Sequence, residues 1–242
     1  MEKGEVAKLI INALTQKILE EKNRNVSILY SGGLDSSIIG YILSKHYDVT
    51  AYTVGIKNSH DINTAIQNSK YINFKETVLI EINENDIIRA KENILKIFNH
   101  LKFKELSIEI PFYIGLENIK EHVVYVGQGA DELFGGYKKY LNNPDLMKKD
   151  LIKLLIYNLP IERKISEYQG KFVKYPYITK KILEISHEIP LNFKIDNGVR
   201  KVILREVAKI LDLPESIYNK EKKAMQYGSG VAKILKKLEK KL

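Results

Sequence analysis

Val26-Ser27-Ile28-Leu29-Tyr30-Ser31-Gly32-Gly33-Leu34-Asp35-Ser36-Ser37-Ile38-Ile39-Gly40-Tyr41-Ile42-Leu43 decides the reading of this chain. An apolar run (Val26 to Tyr30) enters a Gly-Ser loop that opens into an apolar-periodic stretch, the order strand, loop, helix. Such a junction presents backbone N–H groups and a helix N-terminus to an anion. Gly32 and Gly33 let the backbone come close to phosphate oxygens, and Ser31, Ser36 and Ser37 add hydroxyl donors. No lysine stands where a GxxxxGK[ST] loop requires one, which argues against γ-phosphate transfer. Asp35 among phosphate donors makes sense with a cation between them, and is read as a Mg²⁺ ligand.

Outward from this stretch, the apolar spacing of residues 5–20 predicts a helix packed by one face, and Val49 to Ile56 a second strand. A helix capped by Asp61 and running to about Tyr71, a strand from Thr77 to Ile82 and a helix over 84–99 follow. Ile108 to Lys120 reads as a helix with Pro111 in its first turn. His122 to Val126 is a short strand that delivers Gly127-Gln128-Gly129-Ala130-Asp131-Glu132-Leu133-Phe134-Gly135-Gly136-Tyr137. Alternating βα units imply an α/β fold, a parallel sheet with helices on both faces, whose ligands bind beyond the strands' carboxyl ends. After Tyr137 the pattern becomes helical (146–159, 180–187, 199–211 and 231–242), broken by prolines. The expected organisation is one unit over 1–242: a nucleotide-binding α/β part over 1–140 and a helical C-terminal subdomain over 141–242.

The run Ser31 to Ser37 resembles the pyrophosphate loop of the N-type ATP pyrophosphatases. Gly127 to Tyr137 resembles the second signature of the asparagine synthetase synthetase domain, which β-lactam synthetases share. The resemblance covers essentially the whole chain and implies an adenine nucleotide α-hydrolase-like fold. Its implied activity is that of an ATP-dependent ligase: a carboxylate (aspartate or a related acid) becomes an acyl-adenylate, pyrophosphate leaves, and the acyl group passes to ammonia or another amine. ATP and Mg²⁺ are the implied cofactors, with Asp131 joining Asp35 on the metal. Leu29, Val54 and Gly127 match the family's adenine contacts. A third match, Lys220 to Gly230, aligns Lys222 with the lysine that reaches the triphosphate, Lys223 being the fallback, and Gly228-Ser229-Gly230 reads as a lid over the nucleotide.

Two departures from the family pattern stand out. Gln128 replaces a glutamate; an amide orients a substrate but cannot take its proton. In the aspartate-binding segments Ser107 and Lys174 fall at arginine positions, Phe172 replaces an acid and Thr179 replaces an Asp. Lysine does not grip a carboxylate bidentately as arginine does. The ATP half is therefore expected to be intact and the acceptor half rebuilt.

Composition limits the remaining classes. The absence of cysteine excludes disulfides, thiolate metal sites and a cysteine nucleophile on this chain. Only a short segment precedes Ser31, so the family's N-terminal glutaminase domain is expected to be missing and a separate glutaminase subunit is a candidate ammonia source. The net charge of +9 raises a polyanion partner, but eight lysines against two glutamates in residues 220–242 supply six of those charges. Nucleic acid is accordingly not the expected partner. No apolar run reaches membrane-spanning length and the N-terminus lacks a signal layout, so a cytoplasmic protein is expected. The alternatives are a loop-sharing enzyme that modifies tRNA or a nucleotide, and a non-catalytic ATP-binding subunit of a larger synthetase.

Overall fold

The computed structural model describes residues 2–219 and 225–239. Along the chain, α1 (Lys3–Ile18), β1 (Asn25–Leu29), α2 (Leu34–Ser44) and β2 (Asp48–Gly55) are followed by α3 (His60–Asn68), β3 (Glu76–Glu81) and α4 (Glu84–Ile97). Next come α5 (Phe103–Asn118), β4 (Val123–Tyr125), α6 (Ala130–Phe134), α7 (Leu146–Lys153), α8 (Leu159–Tyr168) and β5 (Phe172–Lys174). The last elements are α9 (Lys180–Glu188), α10 (Leu191–Lys194), β6 (Ile195–Asp196), β7 (Val199–Arg200), α11 (Val202–Ile210), α12 (Glu215–Tyr218), α13 (Met225–Gly228) and α14 (Val231–Glu239).

β1 to β5 form one parallel sheet in the order β3-β2-β1-β4-β5. Its strands alternate between two cores. Val26, Ile28, Val49, Ala51, Val123 and Tyr125 pack against α1, α2, α9 and α11. Tyr52, Val54, Val124 and Val126 face the other way, against α4, α5, α8 and α14. Burial of both faces is why the strands read as near-continuous apolar runs. α1 shows the scale: Val6, Ile10, Leu14 and Ile18 are all fully buried, each worth about 1.5–3 kcal/mol against exposure. Chain order reverses between β1 and β4, so the crevice between their carboxyl ends is the switch point where ligands of such sheets bind. Both glycine-rich runs open there.

Five features depart from the sequence reading. Ser59, not Asp61, caps α3, accepting from the Ile62 N–H at 3.4 Å, and Asp61 turns inward instead. α5 begins five residues early, leaving Pro111 inside it; the missing N–H deprives the Ser107 carbonyl of its helical donor. Pro160 does not end the helix before it: α7 passes through a π-helical stretch (154–158) directly into α8. The wider turn absorbs the proline. β5, within the segment read as helical, is the sheet's fifth strand, so the C-terminal part contributes to the sheet as well as covering it. The segment before α11 is also strand: Asn197 and Gly198, both at positive φ, make the tight turn of the β6–β7 hairpin.

Candidate active site

The loop after β1 is held from both sides. The Tyr30 N–H donates to the Tyr52 carbonyl at 2.8 Å, and the Thr53 hydroxyl donates to the Tyr30 carbonyl at 2.5 Å. The chain then turns at Gly32 (φ +71°), where a Cβ would stand 2.6–2.7 Å from the backbone of Thr64 and Ala65. Asn68, which sequence reasoning missed, donates its side-chain amide to the Gly32 carbonyl at 2.7 Å. Gly33 caps α2 in extended conformation, leaving the first N–H groups of that helix without intrahelical partners. The Ser31 and Ser36 hydroxyls lie 3.3 Å apart beside them. Ser37 is placed differently: fully buried, its hydroxyl meets Tyr30 Oη at 3.1 Å and lines no part of the site.

Asp35 and Asp131 converge on one point from the two glycine-rich runs. At that point stands the ammonium of Lys201, 2.6 Å from both Asp35 oxygens and 2.6 Å from Asp131 Oδ1. Gly136 makes room for this arrangement, since a Cβ there would fall 1.8 Å from Asp131 Oδ1 and 2.4 Å from Lys201 Cε. Gly127 lets the second run pass the first: its Cβ would be 3.3 Å from the Ser36 nitrogen. Lys201 itself has left-handed backbone geometry (φ 56°, ψ 37°), a conformation costing a lysine about 1–2 kcal/mol. It directly follows the β6–β7 hairpin, whose Asn197-Gly198 turn was the signal that could have revealed that hairpin. Arg200, beside it, donates to the Gly136 carbonyl at 2.5 Å. Arg205 donates to the carbonyls of Arg200 and Tyr218; burial, then the Arg200 charge, draw its pKa below the ordinary arginine value. A small cavity of about 40 Å³ lies among Ser31, Gly32, Gly33, Lys201 and these arginines, with Asp61 also on its wall.

On the other side of the loop opens a cavity of about 510 Å³. Leu29, Val54 and Gly127 line it, together with Ser31, Ser36, Asp35 and Asp131. Tyr227 also reaches its wall. Behind Tyr227 the Gly228–Gly230 segment is anchored: the Ser229 carbonyl accepts from the Ile56 N–H at 2.9 Å, and Gly228 lies against Asp61. Lys222 and its fallback Lys223 lie outside the described residues.

Another stretch of the cavity wall is rich in carboxyl groups. Gln128 donates its amide to Glu162 Oε1 at 2.9 Å. Burial, with the Glu132 charge adding to it, pushes the Glu162 carboxyl up to about 8. Glu109 is driven well above the ordinary carboxyl range by burial, then by Glu162 and Glu105. Tyr137 donates to Glu132 at 2.9 Å. The positions expected to shape an aspartate pocket are occupied elsewhere. Ser107 bonds back to the Lys104 carbonyl at 2.8 Å, Lys174 pairs with Glu21 at 3.5 Å, and Thr179 caps α9. None of these, nor Phe172, lines the cavity.

Comparison with known proteins bears on this geometry. The sequence model of the asparagine synthase family matches residues 5–155 and 144–242. A Methanocaldococcus jannaschii protein assigned as a glutamine-hydrolysing asparagine synthetase is 32% identical over 260 residues, covering 89% of this chain and 48% of that protein. The Escherichia coli glutamine-hydrolysing asparagine synthetase B is 26% identical over 236 residues, covering 86% of this chain and 42% of its own. The chain thus spans about half the length of the curated relatives it matches. An NMN synthetase from Francisella tularensis shares the fold: TM-score 0.51 at 13% identity, with 99% of this chain and 87% of that one covered. Among the described residues, no helix is long and apolar enough to cross a membrane.

Proposed function

The chain belongs to the asparagine synthase family, and from that premise we propose that it is an ATP-dependent ligase that activates a carboxylate by adenylation and forms an amide. The observation that carries this reading is the convergence of Asp35, Asp131 and Lys201 at the phosphate-type loop, on the sheet's switch point. The triphosphate is held by the N–H groups at the start of α2 and the Ser31 and Ser36 hydroxyls, with Lys201, Arg200 and Arg205 around the adjoining recess. The adenine lies against Leu29, Val54 and Gly127. Two hard carboxylates aimed at a single point beside such a loop fit Mg²⁺; Asp35 and Asp131 would hold it in place of the ammonium, and it would neutralise charge on the phosphates.

In the first step a carboxylate oxygen of the acid attacks the α-phosphorus, and the α–β bridging oxygen leaves with pyrophosphate. In the second, an amine nitrogen attacks the acyl carbon and AMP departs. The proton lost by that nitrogen needs an acceptor. Gln128 cannot provide one, but Glu162, bonded to it, is a carboxyl poised near neutrality and lines the same cavity. The residue that sequence alignment placed at the base position therefore orients the base. The amine is ammonia or an organic amine; a glutaminase on another polypeptide is a source of the former.

The test is pyrophosphate release from ATP·Mg²⁺ with aspartate plus ammonium, beside a panel of other carboxylates with and without amines. Release that depends on a carboxylate supports adenylation. Nucleotide binding without release in any combination rejects it and leaves a binding subunit.

A further inference from the structure

We propose that the inner wall of the large cavity, where Glu109 on α5 faces Glu162 on α8, is a subsite for an organic cation, a primary ammonium or guanidinium carried by the substrate that shares the site with the nucleotide. The inference deepens the ligase reading and rests on it for the identity of the reaction, not for the binding itself.

Glu109 is 3% exposed, and its Oε2 has no hydrogen-bond partner. A buried carboxyl oxygen left without a partner costs about 1–3 kcal/mol, and such a group calls for an explanation, a bound partner among them. Among the described residues, no lysine or arginine pairs with either Glu109 or Glu162. Carboxylates outnumber lysines eight to three along the cavity wall, and all three lysines (Lys104, Lys139 and Lys153) stand at its exposed rim. Lys139 is already taken by Asp150 at 2.5 Å. The interior is therefore rich in carboxyl groups that hold protons for want of a counter-charge, and an incoming cation supplies that charge as those protons are released.

The arrangement favours a nitrogen cation over a metal ion. Among the described residues no cluster of three metal-ligating side chains exists, and unlike Asp35 and Asp131 this pair has no phosphate-binding loop beside it to complete a divalent ion's oxygen shell. An ammonium brings three N–H donors and a guanidinium five, enough to satisfy Glu109 Oε2 and a Glu162 oxygen together. No proton is shared through Glu109 Oε2, which has no partner and stays available to an N–H donor. Both glutamates sit beside irregular helix: Glu109 two residues before the internal Pro111, Glu162 two residues after Pro160 in the first turn of α8, just past the π-helical stretch. Irregularities of that kind gather at functional sites. The groups facing the pair are Glu105 on the same helix, Glu132 from the second glycine-rich run, and the Tyr157 and Tyr175 hydroxyls.

The cation belongs either to the amine nucleophile or to an amino group on the acid, and the two are separable. The full chain is titrated calorimetrically with butylamine, butane-1,4-diamine and butylguanidine, and with the uncharged butan-1-ol, with and without ATP·Mg²⁺. The expected result is binding of the cations at least about tenfold tighter than the alcohol, with loss of that preference in Glu109→Gln and in Glu162→Gln at unchanged or raised melting temperature. Equal binding of cation and alcohol overturns the proposal, as does Glu109→Gln that folds and still binds the cations as the parent does. ATP–pyrophosphate exchange then assigns the source. Exchange only with amino-bearing acids gives the cation to the acid; exchange with simple acids, followed by amide formation only with cationic amines, gives it to the nucleophile. Because binding is read without turnover, cation binding with no exchange for any acid sinks the ligase reading alone, and exchange without cation selectivity sinks the subsite alone.

Discussion

The ammonium of Lys201 is bonded to both carboxylate oxygens of Asp35, 2.6 Å from each, although 166 residues separate the two in sequence. Both side chains are about 5% exposed, and Asp131 closes the triad from a third segment. One positive charge thus holds two carboxylates together in a largely dry site. Replacing Lys201 by alanine leaves those carboxylates facing each other, and breaking a buried pair in this way costs about 3–5 kcal/mol. Urea unfolding of Lys201→Ala should show a loss of that order. A change below about 1 kcal/mol would mean that the lysine is not what holds the carboxylates together.

Asp35→Asn and Asp131→Asn keep side-chain volume and remove charge. Each is expected to lower carboxylate-dependent pyrophosphate release by at least about 100-fold, the scale of losing a main electrostatic contact in a transition state. Near-ultraviolet circular dichroism should stay that of the parent. Retained turnover in both variants would remove the metal role from this pair.

The glycines of the two runs differ sharply in what surrounds them. Gly32→Ala forces a left-handed residue into the Thr64 backbone, and Gly136→Ala places a methyl on the Asp131 carboxylate. Both variants should bind ATP at least about tenfold more weakly in calorimetry and melt at lower temperature. Gly4, with nothing within 4 Å of its Cβ position, is the control: Gly4→Ala should melt at or slightly above the parent temperature.

The buried glutamates set a pH dependence of stability. Folding raises the Glu162 carboxyl from an ordinary 4.5 to about 8 and raises Glu109 in the same direction. Between those values the folded chain holds protons that the unfolded chain has released, so stability falls as pH rises. The contribution is fully present below about 4.5 and lost by passage through about 8. Melting temperature measured from pH 5 to 8.5 should decline over this window, and Glu109→Gln and Glu162→Gln should each flatten the decline. Amide formation should rise with pH toward 8, because the base must be ionised, while pyrophosphate release should not follow that rise.

Sequence legibility varied with the range of the determinant. The loop from Ser31 to Ser37 and the run from Gly127 to Tyr137 were readable because backbone conformation and anion chemistry are local there. Strand and helix positions from α1 to β4 followed apolar periodicity, with ends shifted by a few residues. Pro111 and Pro160 misled the reading, since whether a proline ends a helix depends on whether the surrounding packing supports a missing bond or a π-helical turn. β5 was missed because three residues become a strand only by pairing with Val123 to Tyr125.

By itself the sequence determined the βα alternation, the anion-binding loops and the two aspartates that face them, because glycine freedom, apolar period and carboxylate chemistry are properties of short segments. Only the tertiary structure decided which distant groups those segments meet: Lys201 between Asp35 and Asp131, Glu162 beside Gln128, and Glu109 across from Glu162. These pairings come from sheet order and helix packing, which bring residues far apart in the chain within a few ångströms. Burial then changes the charges they carry, something no local pattern encodes.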